Sequence, residues 1–162
     1  VFSKQGIDSG TRLLIDHMEI EDGILIADLG CGTGVIGFVA AKLNPNGHVH
    51  LLDDSLRSVE LAKINAELNN LKNVEVFLSD LFSAVSDRTY HLILSNPPQH
   101  MGNEFLEEAA KECSKYLKPG GVTYWVIQKH VKPYAERLFK KVFSNCNVLQ
   151  GSEHVVLKAS II

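Results

Sequence analysis

Residues 27–34 read Ala27-Asp28-Leu29-Gly30-Cys31-Gly32-Thr33-Gly34, overlapping the end of a mostly apolar run at 24–29, and this octapeptide decides how the rest of the chain is read. Glycines at alternate positions allow a tight strand-to-helix turn and let a ligand come close to the backbone. Thr33 is placed to cap the following helix, whose N-terminus favours a negative group such as a carboxylate. The spacing is GxGxG after Asp28, distinct from the GxGxxG of dinucleotide folds. Taken alone, such a loop also fits an ordinary strand–helix turn.

Outward from the loop, runs rich in Val, Ile and Leu recur at 48–53, 74–78, 91–95 and 122–127. They alternate little between apolar and polar, as parallel strands covered on both faces do. Helical patterns separate them. A leading helix is expected over 9–18, and another near 104–116 before a Pro119-Gly120-Gly121 turn. Leu61, Ile64, Leu68 and Leu71 form one apolar stripe, with Glu60, Lys63 and Glu67 on other faces. Val131, Tyr134, Ala135, Leu138, Phe139 and Val142 form a second, with Pro133 tolerated in the first turn. Two strand-like runs, 146–150 and 154–161, are joined by Gly151-Ser152-Glu153 at hairpin spacing. The expected fold is α/β: a Rossmann-like, doubly wound, seven-stranded sheet, mostly parallel with an antiparallel C-terminal hairpin strand. One domain is expected over 1–162, with a leading segment and helix at 1–22 and the seven-stranded core at 23–162.

The acids after the strands narrow the chemistry. Asp53 ends the second strand 19 residues beyond Gly34, where a carboxylate can accept two hydrogen bonds from a ribose diol. Asp54 beside it reads as a helix-start acid favoured by the dipole. Asp80 follows the third strand and, with Leu81, can meet an adenine amino group and ring edge. Asp28, Asp53 and Asp80 are thus expected in a line along the edge where parallel sheets bind ligands.

The fourth strand ends in Ser95-Asn96-Pro97-Pro98-Gln99-His100. The prolines fix two φ angles and remove two donors, and Asn96 is held extended by the proline after it. The Asn96 amide oxygen and the Pro97 carbonyl are uncharged acceptors, suited to an amino nitrogen conjugated to a ring or carbonyl. An Asn-Pro-Pro turn with no chemistry is the plainer reading of the same residues.

Composition excludes several classes. The 162 residues are 45% hydrophobic and 22% charged, enough for a real core and unlike a disordered or low-complexity chain. No apolar run could span a bilayer and no leader opens the sequence, so a soluble cytoplasmic protein is expected. Cys31, Cys113 and Cys146 lie far apart and form no CxxC, and no HxxxH pair appears, so neither a disulfide framework nor a metal site is expected. Cys31 has no base beside it and reads as a small filler. The net charge is −3, but residues 1–81 hold 6 basic and 12 acidic side chains whereas 82–162 hold 10 and 7. A polyanionic partner should therefore meet the second half. There Lys129, His130, Lys132, Arg137, Lys140 and Lys141 border one helix, as a phosphate-binding strip or a solvated face.

The glycine loop, Asp53, Ser79-Asp80 and SNPP occur in this order across most of the chain, and together they resemble a class I S-adenosylmethionine-dependent methyltransferase. The opening VFSKQGIDSGTRLL, residues 1–14, resembles the small-domain ribosomal RNA methyltransferases that modify the exocyclic amine of guanine. The resemblance implies that Asp28, Gly30, Gly32 and Gly34 hold the methionine part of the cofactor, Asp53 the ribose, and Asp80 with Leu81 the adenine. It implies that Asn96, also against the cofactor, and Pro97 hold the target amine, with Pro98, Gln99 and His100 on the substrate side. Gln99 departs from the pattern, since many relatives carry an aromatic or aliphatic residue there, and an aromatic can stack on a flipped base. The implied activity is methyl transfer from S-adenosylmethionine to guanine in ribosomal RNA, without metal or membrane. Glutamine side chains and DNA adenine are the alternative substrates of such an NPP platform, and a non-catalytic cofactor-binding subunit is the alternative from another class.

Overall fold

In a computed structural model of the chain, residues 7–98 and 102–162 are described. The elements run α1 (Ser9–His17), β1 (Leu25–Leu29), α2 (Val35–Leu43), β2 (His48–Asp53), α3 (Leu56–Leu68), β3 (Val74–Leu78), β4 (Tyr90–Ser95), α4 (Asn103–Tyr116), β5 (Leu117–Gln128), α5 (Lys132–Phe143), β6 (Asn147–Gln150) and β7 (His154–Ser160). They build one seven-stranded sheet of order β3-β2-β1-β4-β5-β7-β6. The first five strands in that order pair in parallel, while β7 runs antiparallel between β5 and β6. The expected fold and its C-terminal hairpin are therefore present.

Alternation along each strand sorts the core into two layers. Ala27, Leu29, Ile93, Trp125 and Ile127 pack with Ala109 and Cys113 of α4 and Leu138 and Phe139 of α5. Ile26, Val49, Leu51, Leu94 and Val126 pack on the other face with Leu14 of α1, Ala40 of α2 and Val59 of α3. Gly37 lets α2 lie directly on β2, because a Cβ there would come within 2.8 Å of Leu51 Cγ. Asp8 caps α1, its carboxylate accepting from Thr11 N. Pro133 falls in the first turn of α5, as expected.

Two expectations need correction. The helix α3 turns Val59, Ala62 and Ala66 to the sheet, leaving Ile64 54% and Leu68 74% exposed. Small side chains on the opposite face give the closer approach, so Ile64 and Leu68 look outward, while Leu61 is half-buried and Leu71, past the end of α3, packs against the core. The Pro119-Gly120-Gly121 stretch is not a separate turn but part of β5. It is held there by Gly120 N donating to Ile161 O at 2.8 Å and Ile161 N donating to Gly121 O at 2.9 Å. No helix among the described residues is long and apolar enough to cross a membrane.

Candidate active site

Strand order changes direction between β1 and β4, the point at which the C-terminal ends of a parallel sheet part and leave a crevice. A cavity of about 370 Å³ lies there. Gly30 and Gly32 form its wall at β1, Asp53 at β2, and Asp80 and Leu81 after β3; Asn96, Pro97 and Pro98 close it after β4.

The glycine loop is folded back onto β2. Gly30, Gly32 and Gly34 have φ of +73°, +55° and +104°, a region costly for other residues. Gly30 N and Cys31 N both donate to Leu52 O, at 2.8 and 2.9 Å. Asp53 then clasps the loop: its Oδ2 accepts from Gly32 N and its Oδ1 from Ser55 N, both at 2.9 Å. After β3, buried Ser79 donates to Leu81 O at 2.7 Å and accepts from Ala84 N at 3.1 Å. This turn holds Leu81 at φ +48°, an uncommon conformation for a residue with a Cβ, and leaves Asp80 exposed at the rim.

The Asn-Pro-Pro segment is anchored on both sides. Ser95 Oγ donates to Leu29 O at 2.9 Å, tying the end of β4 to the end of β1. Asn96 Nδ2 donates to Thr11 Oγ1 of α1 at 3.1 Å. Pro97 is buried, and Asn96 and Pro98 are half-buried.

A glycine loop, the Asp53 carboxylate, the Asp80–Leu81 pair and an Asn-Pro-Pro platform thus surround one cavity. The model of the methyltransferase small domain family matches residues 1–158. The chain belongs to that family.

Among its relatives, the uncharacterized protein YbxB of Bacillus subtilis is 39% identical over 98% of this chain and 81% of its own length. The ribosomal RNA large subunit methyltransferase G of Erwinia tasmaniensis is 32% identical over 99% of this chain but 44% of its own. A T. thermophilus 16S rRNA N2 methyltransferase, solved with AdoMet (S-adenosylmethionine) and guanosine, superimposes at a TM-score of 0.90 and 26% identity, over 100% of this chain and 45% of that one. This chain therefore spans less than half the length of either ribosomal RNA enzyme.

Not every residue expected at the small-domain site faces the cavity. Asp28 and Gly34 are not among its lining residues. Alternation along β1 turns Asp28 away from the edge and under α2, where its Oδ2 accepts from Gly37 N at 2.9 Å. Of the expected line of three acids, Asp53 and Asp80 are on the cavity, joined there by Asp54, and Asp28 lies beneath it. Gly34, rather than Thr33, is the N-cap of α2, and no side chain caps that helix. A Cβ at Gly34 would collide with the Phe38 ring, so its place in the loop is backbone shape. Gln99, His100 and residues 1–6 of the opening segment lie outside the described residues.

Other lining residues gave no signal in the sequence. Phe105 and Ala109 reach the cavity from α4, and Ser58 from α3. Trp125 both packs and lines the cavity: it is 1% exposed and donates its ring N–H to Thr123 Oγ1 at 2.9 Å. The register that pairs Trp125 with Ser95 brings it beside the platform, and register is not written in local sequence.

The electrostatics favour a cationic guest. Asp28 Oδ1 is a buried oxygen without a hydrogen-bond partner. Burial, opposed by the Gly37 N–H and aided by the Asp53 charge, pushes the Asp28 carboxyl up to about 7. Asp53 and Asp80 line the cavity, so a sulfonium-bearing ligand there would face their carboxylates, and the residues present fit S-adenosylmethionine. Burial, with Asp28 and Asp53 nearby, drives the Cys31 thiol far above its ordinary range, which keeps it protonated and unreactive.

Proposed function

We propose that this chain is an S-adenosylmethionine-dependent methyltransferase acting on an exocyclic amino group, that of guanine in ribosomal RNA, and working in the cytoplasm. One observation carries the reading: Asn96, Pro97 and Pro98 share a single cavity with the glycine loop, Asp53, Asp80 and Leu81. A nucleoside-sized cofactor and a planar amine can thus meet at the platform. The ribosomal RNA methyltransferases that this chain matches over 99–100% of its length support the substrate class.

Each residue has work to do in that reading. The backbone of Gly30 and Gly32 holds the methionine part, Asp53 the ribose diol, and Asp80 with Leu81 the adenine. When bound, the cofactor supplies a methyl on a sulfonium, a good leaving group that needs no metal to activate it. Asn96 Oδ1 and the Pro97 carbonyl accept the two hydrogens of the target amine, and turn its nitrogen lone pair toward the methyl. Methylation of that nitrogen would form one nitrogen–carbon bond for the carbon–sulfur bond given up, and the platform would hold the amine while it loses one proton to solvent. Catalysis is chiefly positioning in a site that Phe105 and Trp125 help keep dry.

The test is tritiated methyl transfer by wild type and Asn96→Ala to RNA, DNA and protein fractions, followed by nucleoside analysis. The expected result is label on guanine of ribosomal RNA, with Asn96→Ala slower by at least about a hundredfold and cofactor affinity within a few-fold. Label confined to protein or DNA, or an Asn96→Ala variant that keeps its rate, defeats the proposal.

A further inference from the structure

An asparagine amide has two ends of opposite character, and only one of them serves the proposed platform. Oδ1 accepts a hydrogen bond from an amine, whereas Nδ2 in its place would set two donors against each other. Something must decide which end of Asn96 faces the cavity, and the answer begins 88 residues earlier, at Asp8.

Asp8 caps α1 with both oxygens engaged by one residue. Its Oδ1 accepts from Thr11 N at 3.0 Å, and its Oδ2 accepts from the Thr11 hydroxyl at 2.9 Å. An ionised carboxylate only accepts, so the single hydroxyl proton of Thr11 is committed to Asp8. What Thr11 Oγ1 has left is lone pairs, and these take a hydrogen bond from Asn96 Nδ2 at 3.1 Å. A flipped Asn96 would set its Oδ1 against those lone pairs, at a threonine only 7% exposed, where water has little room to intervene. Thr11 does not line the cavity, whereas Asn96 does.

We propose that Asp8 and Thr11 are positioning residues: Asp8 orients the Thr11 hydroxyl, and Thr11 fixes the Asn96 amide with Oδ1 toward the cavity. The first turn of α1 is then part of the methyl-transfer apparatus, although it touches neither cofactor nor target. The inference rests on the platform role given to Asn96 above.

Three substitutions test it. Thr11→Val keeps the shape and removes the hydroxyl, and Thr11→Ser puts the hydroxyl back. Asp8→Asn keeps an oxygen to cap Thr11 N, but its amide donates to Thr11 Oγ1, which frees the hydroxyl proton to point at Asn96 and favours the flipped amide. Single-turnover transfer to deproteinised ribosomal RNA is read beside calorimetric S-adenosylmethionine affinity. The Asn96 side-chain NH₂ signal is followed by NMR and assigned from its loss in Asn96→Ala. Thr11→Val and Asp8→Asn are expected to be at least about tenfold slower with cofactor affinity within about twofold, and Thr11→Ser within about threefold of wild type. The Asn96 NH₂ protons should move upfield in Thr11→Val and hold their place in Thr11→Ser. The relay is overturned if Thr11→Val keeps the wild-type rate while Asn96→Ala does not, if Thr11→Ser is as slow as Thr11→Val, or if the NH₂ signal ignores Thr11→Val. Should wild type transfer no methyl to the RNA, or Asn96→Ala match it, the platform reading falls instead, and the NH₂ signal still decides whether Thr11 orients the amide.

Discussion

Asp53 holds Gly32: the carboxylate Oδ2 accepts from the backbone N–H of the glycine loop at 2.9 Å, across 21 residues of chain. The acid expected to meet the ribose therefore also sets the shape of the loop expected to meet the methionine part. Asp53→Ala should weaken S-adenosylmethionine binding by about 1.5–3 kcal/mol, through loss of charge-assisted bonds to the diol and a looser loop. Titration calorimetry checks this, and equal affinity in the variant removes Asp53 from the cofactor site.

Much of this was legible in the sequence because it is local. The glycine spacing, the acids after the strands and the Asn-Pro-Pro run each have a short-range physical reason. Asp53, Asp80, Asn96, Pro97 and Pro98 are brought to one cavity because alternating β and α units make their strands parallel and set the C-terminal ends on one edge. What was not legible depends on facing and register. Asp28 lies one position from the edge-facing side of β1 and is buried under α2, and the outward Leu68 mimics a core stripe because the true contact of α3 is made by alanines. The bond from Asn96 to Thr11 joins residues 85 apart, and no local pattern announces it.

Asp28 gives a pH prediction. Its carboxyl has an ordinary value of 3.8 and is pushed up to about 7 in the fold, first by burial. Between those values the native state binds the proton that the unfolded state has released. The contribution of this group to stability is thus present below about pH 4 and is lost as pH rises through 7, a difference of a few kcal/mol. Asp28→Asn removes that slope while its amide oxygen can still accept from Gly37 N. Without cofactor, the variant's melting temperature relative to wild type should climb between pH 5 and pH 8. A difference that stays flat over that range refutes the buried-charge account.

The basic helix α5 is unevenly available to a phosphate backbone. Lys140 and Lys132 both lie against Glu136, at 3.2 and 3.8 Å, whereas Lys141 and Arg137 line a surface depression with Tyr134 and Glu107, an acid already paired with Lys111 at 2.8 Å. Lys141→Ala should lower the log–log salt slope of RNA binding by roughly 0.7–0.9, the value of one phosphate contact. Lys140→Ala should lower it less, since Glu136 already neutralises part of its charge. Equal slopes in wild type and Lys141→Ala make the helix face a solvated surface and nothing more.

Gln99 follows Pro98 directly, at the position where the resemblance implies an aromatic or aliphatic side chain in many relatives. An aromatic offers a flipped base a stacking face worth roughly 1–3 kcal/mol, which glutamine lacks. Glutamine instead has an amide that both donates to and accepts from a base edge. The expected consequence is normal cofactor affinity with weak hold on an isolated base, so that transfer to short oligomers lags behind transfer to structured ribosomal RNA. If stacking is the missing contribution, Gln99→Phe raises turnover on short guanine oligomers. If Gln99 reads the base edge, the same change leaves the rate unimproved and erodes the preference for guanine over adenine. Rates of both proteins on guanine- and adenine-containing oligomers separate the two. A variant indistinguishable from wild type on both oligomers removes Gln99 from base recognition, and leaves the target held by Asn96 and Pro97 with the RNA structure around it.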